Sequence, residues 1–237
     1  MNDIVLLPGW GLGVAPLQPL ASALRNAGVR VVTLPLPNLH QSLAQVLDDV
    51  AKTIPAQSWL VGWSLGGMLA AELAKRVDVH CAGLVTLGAN MRFVANQDWP
   101  NAMPVETYDQ FREGCALNPQ ATLKRFSLLC SQGAEDARAL SRTLSAAADP
   151  SESLLAGLDV LAALDMRDAL AAFEGPRLHV FAERDALVPA SAAAAFARIS
   201  PVGTTVLMAE ASHAFVVEQA ETVANLIVSR MEVARVG

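Results

Sequence analysis

The chain lacks an apolar run long enough to cross a membrane. A membrane helix needs about 18 or more consecutive apolar residues, whereas the longest candidate, 59–71, contains Ser64 and three glycines. The first residues, Met1-Asn2-Asp3, carry no basic region and run directly into an apolar segment, so we expect no signal peptide. These absences predict a cytoplasmic protein without a membrane partner.

Cysteine, metal-ligand clusters and positive charge are scarce as well. The three cysteines have no C-x-x-C spacing, which favours buried, reduced thiols over a disulfide framework. No group of His, Cys and carboxylate residues has the spacing of metal ligands, so the sequence predicts neither a metal nor another cofactor. The formal net charge of −6 argues against a nucleic-acid partner.

Apolar residues, by contrast, make up 53% of the 237 residues, enough for one α/β domain with a large core. Six short and almost wholly apolar runs are predicted strands: 4–7, 29–34, 59–62, 83–87, 178–182 and 205–208. Strands that are apolar on both faces are typical of parallel sheets covered by helices on each side. Amphipathic patterns between them, as at 43–54 and 218–233, predict a doubly wound α/β fold with a mostly parallel sheet of about six strands.

The alternation of strands and helices stops between 91 and 168. There the pattern predicts consecutive helices, over 105–116, from Asn118-Pro119 onward, over 135–147 and from near Asp149 onward. An all-helical segment inserted between two strands of a parallel sheet is a candidate lid. We therefore predict a core formed by 1–92 and 169–237, and a helical lid formed by 93–168.

The segment Gly62-Trp63-Ser64-Leu65-Gly66 lies between a predicted strand and a predicted helix. This G-x-S-x-G pattern suits a sharp turn that needs glycine on both sides and pushes the central hydroxyl out of the sheet. The bare pattern arises by chance in about one chain in ten of this length, so its position carries the interpretation. The sequence predicts Ser64 as a nucleophile, and the alternative is a passive serine in a glycine-rich turn.

A serine hydroxyl is a poor nucleophile without a neighbouring base, and the chain has four histidines. His213 follows the predicted strand 205–208 by a short loop. It therefore falls at the same edge of the sheet as Ser64, beyond the C-terminal ends of parallel strands. We predict His213 as the base. The other three are placed less favourably: His40 lies in a predicted loop and His80 between a helix and a strand. His179 lies within a predicted strand, where we expect a hydrogen-bonded core or edge residue.

The base needs an acid that fixes its tautomer. Asp185 comes shortly after the predicted strand 178–182, and the order Ser64, Asp185, His213 is one of three known triad orders. We predict Asp185 in this role. Two alternatives remain, since Asp185 could instead cap the following helix and Glu183 could serve as the acid.

An acyl-transfer site also needs donors for a developing oxyanion. The backbone N–H of Leu65 is one candidate, and the N–H of Trp10, in the glycine-rich loop 8–13, is the other. The same glycines could suggest dinucleotide binding, but that motif requires glycine at Val14 and an acidic residue within 31–38. Neither is present.

These motifs together resemble the α/β-hydrolases, and more closely the carboxylesterases of biotin biosynthesis, which cleave the methyl ester of pimeloyl-acyl carrier protein. The resemblance rests on stretches spread along the chain: 6–11, 62–67, 125–126, 136–140, 158–161, 165–167, 185–189 and 212–214. It implies an α/β-hydrolase fold with a lid, in which the usual leading strand pair is absent. It also implies Ser64, Asp185 and His213 as a catalytic triad, with Trp10 and Leu65 at the oxyanion hole.

The resemblance further implies a substrate and a partner. Trp10 and Phe126 would bind the acyl chain of a small or carrier-linked ester, and Arg125, Arg138 and Arg142 would face an acyl carrier protein. Because both proteins are acidic, the attraction would have to be local; the alternative is an ordinary solvated helix surface. We expect a monomer. The alternative functions are another hydrolase reaction, such as lactone or C–C bond hydrolysis, and a non-catalytic ligand-binding member.

Overall fold

The sheet has six strands, all parallel, in the order β2-β1-β3-β4-β5-β6. This architecture comes from a computed structural model that describes residues 2–148, 154–200 and 203–236. The strands are β1 Ile4–Leu7, β2 Val31–Thr33, β3 Trp59–Trp63, β4 Gly83–Leu87, β5 Arg177–Ala182 and β6 Thr204–Met208. The predicted fold class is confirmed, and each of these strands overlaps a predicted one.

Helices lie on both sides of the sheet. They are α1 Gln18–Asn26, α2 Leu43–Ala51, α3 Leu65–Ala74, α4 Val105–Leu117, α5 Pro119–Ser131, α6 Ala137–Ala147, α7 Leu154–Ala163, α8 Arg167–Ala172, α9 Ser191–Ile199, α10 Phe215–Glu218 and α11 Ala220–Val236. None of the described helices combines the length and apolarity needed to cross a membrane. The three cysteines are free; Cys115 and Cys130 are buried and Cys81 is half-buried.

Local sequence explains where the inserted helices begin. The side chain of Asn118 accepts a hydrogen bond from the N–H of Ala121, and Pro119 occupies the first turn of α5. Asp136 caps α6 in the same way, accepting from the N–H of Ala139 at 2.9 Å. The predicted start of a helix near Asp149 lies outside the described residues.

The two ends of the inserted helical segment are tied together beside the sheet. The N–H of Met166 donates to the carbonyl of Met91 at 2.9 Å, and the Arg92 guanidinium lies 3.1 Å from the Asp165 carboxylate. Burial raises the pKa of Asp165, but hydrogen bonds from Arg167 and Arg92 outweigh it and hold that pKa at about 2. The division at 92/93 and 168/169 remains a prediction.

His179 lies in the core of β5 with only one of its ring nitrogens satisfied. Nδ1 is 2.8 Å from the Thr86 hydroxyl, whereas Nε2 has no hydrogen-bond partner among the described residues. The prediction of a hydrogen-bonded residue in a buried strand is therefore confirmed. Burial first, and the charge of Arg177 second, lower the pKa of His179 to about 3.

This depressed pKa predicts a loss of stability in acid. Below pH ~6.5 the unfolded chain protonates His179 while the folded chain does not, so the free energy of unfolding falls as the pH falls toward 3. From pH 7.5 to pH 5, we expect His179→Gln to lose about 2 kcal/mol less than the parent. Urea unfolding at the two pH values measures this difference. The exposed His80→Gln variant is the control, and equal pH dependence in the parent and His179→Gln would contradict the prediction.

Candidate active site

Ser64 occupies a strained turn between β3 and α3. Its backbone has φ 54° and ψ −120°, in the positive-φ region that side-chain-bearing residues rarely adopt. A Cβ on Gly62 would lie 2.1 Å from the carbonyl oxygen of Gly66, and a Cβ on Gly66 would lie 2.4 Å from that of Leu7. Both glycines are therefore required by close backbone contacts, as the pattern predicts.

The turn holds Ser64 at the C-terminal edge of the central strands. Its N–H donates to the carbonyl of Leu87, the last residue of β4, at 2.8 Å. A Cβ on Gly9, in the loop after β1, would lie 3.4 Å from the Cβ of Ser64. Ser64 thus lies where β1, β3 and β4 end, which is the usual place for sites in open parallel sheets.

Asp185 and His213 form a buried pair. Nδ1 of His213 lies 2.7 Å from Oδ2 of Asp185, and their side chains are 0% and 1% exposed. Since a carboxylate only accepts hydrogen bonds, Nδ1 carries the proton and Nε2 is left as an acceptor. Asp185 is itself held by two backbone donors, the N–H groups of Leu187 at 2.8 Å and Val188 at 2.9 Å.

Glu183, the alternative acid, is engaged elsewhere. Its carboxylate accepts a hydrogen bond from the N–H of Glu210 at 2.8 Å. Among the described residues, the carboxylate bound to the imidazole of His213 is that of Asp185.

His213 and Ser64 contact the same short segment at the end of β4. Ser64 is hydrogen-bonded to Leu87, and a Cβ on the next residue, Gly88, would lie 3.3 Å from Cε1 of His213. Nε2 of His213 is buried and has no hydrogen-bond partner in the described chain, Ser64 included. The structure therefore brings the three predicted residues to one edge of the sheet, with the Asp185–His213 hydrogen bond formed and the Ser64–His213 one not formed.

Trp10 and Phe126 meet at the boundary between the sheet and the inserted helices. Their rings lie edge to face with centroids 4.9 Å apart, and Nε1 of Trp10 donates to the carbonyl of Leu154 at 2.8 Å. The ring of Phe111 in α4 also packs on Trp10, with ring centroids 5.7 Å apart. Sequence reasoning missed Phe111, although it is an aromatic residue within a predicted lid helix.

The backbone N–H groups of Trp10 and Leu65 share one property. Within the part of the chain that the structure describes, neither donates a hydrogen bond. Leu65 is the first residue of α3, so its N–H is one of those that a helix cannot satisfy internally.

The predicted carrier-facing arginines lie on two neighbouring helices, Arg125 on α5 and Arg138 with Arg142 on α6. All three are exposed, as is Lys124, and none forms an ion pair with another described residue. Arg138 and Arg142 are four residues apart and so share one face of α6. The structure thus exposes these positive charges on two helices that pack against each other.

Comparison with known proteins matches the sequence of this chain to a family. The model of the alpha/beta hydrolase family matches residues 4–226. The pimeloyl-[acyl-carrier protein] methyl ester esterase of Serratia marcescens is 33% identical over 223 residues, covering 90% of this chain and 87% of that protein. The biotin biosynthesis bifunctional protein BioHC of Cellvibrio japonicus is 38% identical over 219 residues; the match covers 89% of this chain but only 44% of that longer protein.

Solved structures agree on the fold. The bromoperoxidase of Bacillus anthracis superposes with a TM-score of 0.84 at 19% identity, over 98% of this chain and 92% of that one. The esterase EaEST of Exiguobacterium antarcticum gives a TM-score of 0.83 at 18% identity, with the same coverage. From the family match, the sequence relatives and the parallel sheet with its strained serine turn, we conclude that the chain belongs to the alpha/beta hydrolase family.

Proposed function

We propose that the chain is a serine carboxylesterase in which Ser64 is the nucleophile, His213 the general base and Asp185 the acid that orients it. The buried Asp185–His213 hydrogen bond, at the strand edge that carries the Ser64 turn, is the observation that supports this proposal. Asp185 would keep the proton on Nδ1, so that Nε2 of His213 can accept the proton of the Ser64 hydroxyl.

The reaction would proceed in two steps. Ser64 Oγ attacks the ester carbonyl while its proton passes to His213; the bond to the alcohol then breaks, and His213 returns the proton to the leaving alcohol. Water next attacks the acyl-enzyme while His213 takes a proton from it. The bond between the acyl group and Ser64 Oγ then breaks, His213 returns the proton to Oγ, and the free acid leaves. The N–H groups of Trp10 and Leu65 would donate to the oxyanion in both steps.

We further propose that the physiological substrate is the methyl ester of pimeloyl-acyl carrier protein, in biotin biosynthesis. Support comes from relatives with this activity in their names, such as those of Serratia marcescens and Vibrio cholerae, the latter 31% identical over 232 residues. The apolar contact of Trp10 with Phe111 and Phe126 would flank the acyl chain. Short-chain esters would also be cleaved.

The direct test is hydrolysis of the purified carrier-linked methyl ester. We expect the free acid on the carrier and one methanol per ester, and we expect the gene to restore growth without biotin to a strain lacking its own methyl esterase. A panel with lactones and C–C bond substrates covers the alternative reactions. Turnover of those substrates, with none of the methyl ester, would overturn the proposed substrate.

The exposed arginines of α6, Arg138 and Arg142, give a prediction about binding of the carrier protein. Reversing two charges, Arg138→Glu with Arg142→Glu, should raise KM for the carrier-linked ester by about tenfold or more, because like charges would then meet across the contact. KM for a short free ester should stay within about twofold, and the effect should shrink at high salt.

The matched control for this prediction reverses two exposed arginines outside the inserted helices. Arg198→Glu with Arg235→Glu changes the net charge by the same amount, and we expect it to leave both KM values nearly unchanged. Equal increases in the two double variants, or equal effects on carrier-linked and free esters, would count against a local docking surface.

A further inference from the structure

Trp63, the residue directly before Ser64, reaches across to the loop that carries His213. Its indole Nε1–H donates to the main-chain carbonyl of His213 at 3.0 Å. Its ring lies 5.7 Å from the imidazole, centroid to centroid. Trp63 is 1% exposed, so this hydrogen bond is formed away from water. The last residue of β3, directly before the proposed nucleophile, is therefore hydrogen-bonded to the residue proposed as the base.

Glu218 holds the same loop from the residue before His213. Its Oε1 accepts two hydrogen bonds from Ser212, one from the N–H at 2.9 Å and one from the hydroxyl at 2.7 Å. The Ser212 hydroxyl in turn accepts from the N–H of Ala214 at 3.2 Å. Ser212 and His213 are both 0% exposed. The two neighbours of His213 in the chain, Ser212 and Ala214, are thus hydrogen-bonded to each other, and the carboxylate of Glu218 holds Ser212 in place.

This arrangement fixes the main chain of His213, whereas Asp185 fixes only its ring. A ring can turn correctly towards Asp185 and still be displaced as a whole when its main chain moves. Nε2 has no hydrogen bond within the described residues to hold it in place. Its distance to the Ser64 hydroxyl therefore depends on where the loop holds the Cα of His213, and displacements of about 1 Å can lower catalytic rates a hundredfold.

We propose that Trp63 and Glu218 are positioning residues that set the distance between His213 and Ser64, an inference that rests on the proposed serine-esterase function. Trp63 acts through the carbonyl of His213, and Glu218 acts through Ser212. Neither exchanges a proton with the substrate. Their contribution appears in the rate at which Ser64 becomes a nucleophile, and ground-state binding of the ester does not depend on them.

Three variants separate positioning from packing. Trp63→Phe keeps an aromatic ring and loses the N–H donor. Glu218→Ala loses both acceptor contacts, while Glu218→Gln keeps an Oε1 that can accept them, so it is the conservative rescue. Glu218 lines an open cleft of about 680 Å³ together with Arg184 and Glu210. Truncating it therefore leaves space that water can fill, and the loss of stability should be small.

Trp99→Phe is the matched control. Trp99 is also buried, and its Nε1–H donates a hydrogen bond of 2.9 Å to Asn90, whose other hydrogen bonds in the described chain are with Asn101 and Met91. It should lose a similar amount of thermal stability to Trp63→Phe. We expect it to keep the parent kcat.

The measurements are kcat and KM for a short nitrophenyl ester, the rate of Ser64 labelling by a fluorophosphonate, and thermal unfolding. We expect Trp63→Phe and Glu218→Ala to lower kcat and the labelling rate in parallel, by about tenfold or more, with KM within about twofold. Glu218→Gln should recover to within about threefold of the parent.

The inference is overturned if Trp63→Phe and Glu218→Ala label at the parent rate, if their losses lie in KM alone, or if Trp99→Phe loses kcat equally. In each of these results the parent still reacts with the probe, and the proposed function stands. A parent chain that neither reacts with the probe nor turns over any ester would overturn the proposed function and this inference together.

Discussion

Replacing Ser64 with alanine is expected to lower ester turnover by about 10⁵-fold or more. The variant lacks the one hydroxyl that the turn presents beside His213, so no acyl-enzyme can form. Stability should hardly change, because the Ser64 side chain makes no capping hydrogen bond to α3. The variant should therefore unfold at the parent temperature and fail to react with a fluorophosphonate, while the parent incorporates one probe per chain.

Ser58→Ala is a stringent control for this result. Ser58 directly precedes β3, is 0% exposed and donates a hydrogen bond of 2.6 Å from its hydroxyl to the carbonyl of Pro55. Its replacement should lower stability by about 1 kcal/mol and leave turnover unchanged. If Ser64→Ala retained even about a hundredth of the parent activity, after purification away from host esterases, Ser64 could not be the nucleophile.

The sheet could be predicted from the sequence because parallel strands that are buried on both faces appear as uninterrupted apolar runs. β1 and β4 have the predicted bounds, 4–7 and 83–87, and both are fully buried. β6 is an edge strand, and its first four residues are exposed or half-buried, whereas Met208 is buried. The uninterrupted apolar run was therefore sufficient for the central strands, and the flanking strand still had enough β-branched residues to be recognised.

The strained turn at Ser64 was predictable for a different reason. Glycines on both sides of a serine are a local requirement, visible in five consecutive residues, and the close backbone contacts of Gly62 and Gly66 explain it. Local sequence does not contain the contacts that cross the molecule. Trp63 and His213 are separated by 150 positions and Glu218 acts through Ser212, so their roles emerge only when the strands are assembled.

The choice between two carboxylates two residues apart also required the structure. Asp185 and Glu183 both follow β5 and both carry a carboxylate that could reach an imidazole. The turn after Asp185 directs the N–H groups of Leu187 and Val188 onto its Oδ1, which leaves Oδ2 for His213. Glu183 is bonded to Glu210 on the neighbouring loop. These backbone donors thus orient the carboxylate of Asp185, and not that of Glu183, toward His213. No sequence pattern predicts their positions.

Replacing Asp185 with asparagine is expected to lower kcat by about 10⁴-fold near neutral pH, while the fold stays intact. The asparagine Oδ1 can still accept from Leu187 and Val188, so the turn should persist. Its amide N–H₂ would replace Oδ2 beside Nδ1 and would donate to it. The ring proton of His213 would then move to Nε2, which could no longer accept the proton of Ser64. KM for a short ester should change by less than about threefold, since Asp185 does not touch the substrate.

Glu183→Gln is the control that makes this prediction specific. It neutralises a carboxylate in the same loop, two residues away, and removes the same unit of charge from the surroundings of His213. A general electrostatic effect of the loop would lower kcat in both variants, whereas a tautomer held by one hydrogen bond would lower it only in Asp185→Asn. We expect Glu183→Gln to stay within about twofold of the parent. If the two variants lost activity equally, or if only Glu183→Gln lost it, the assignment of Asp185 as the partner of His213 in catalysis would be wrong.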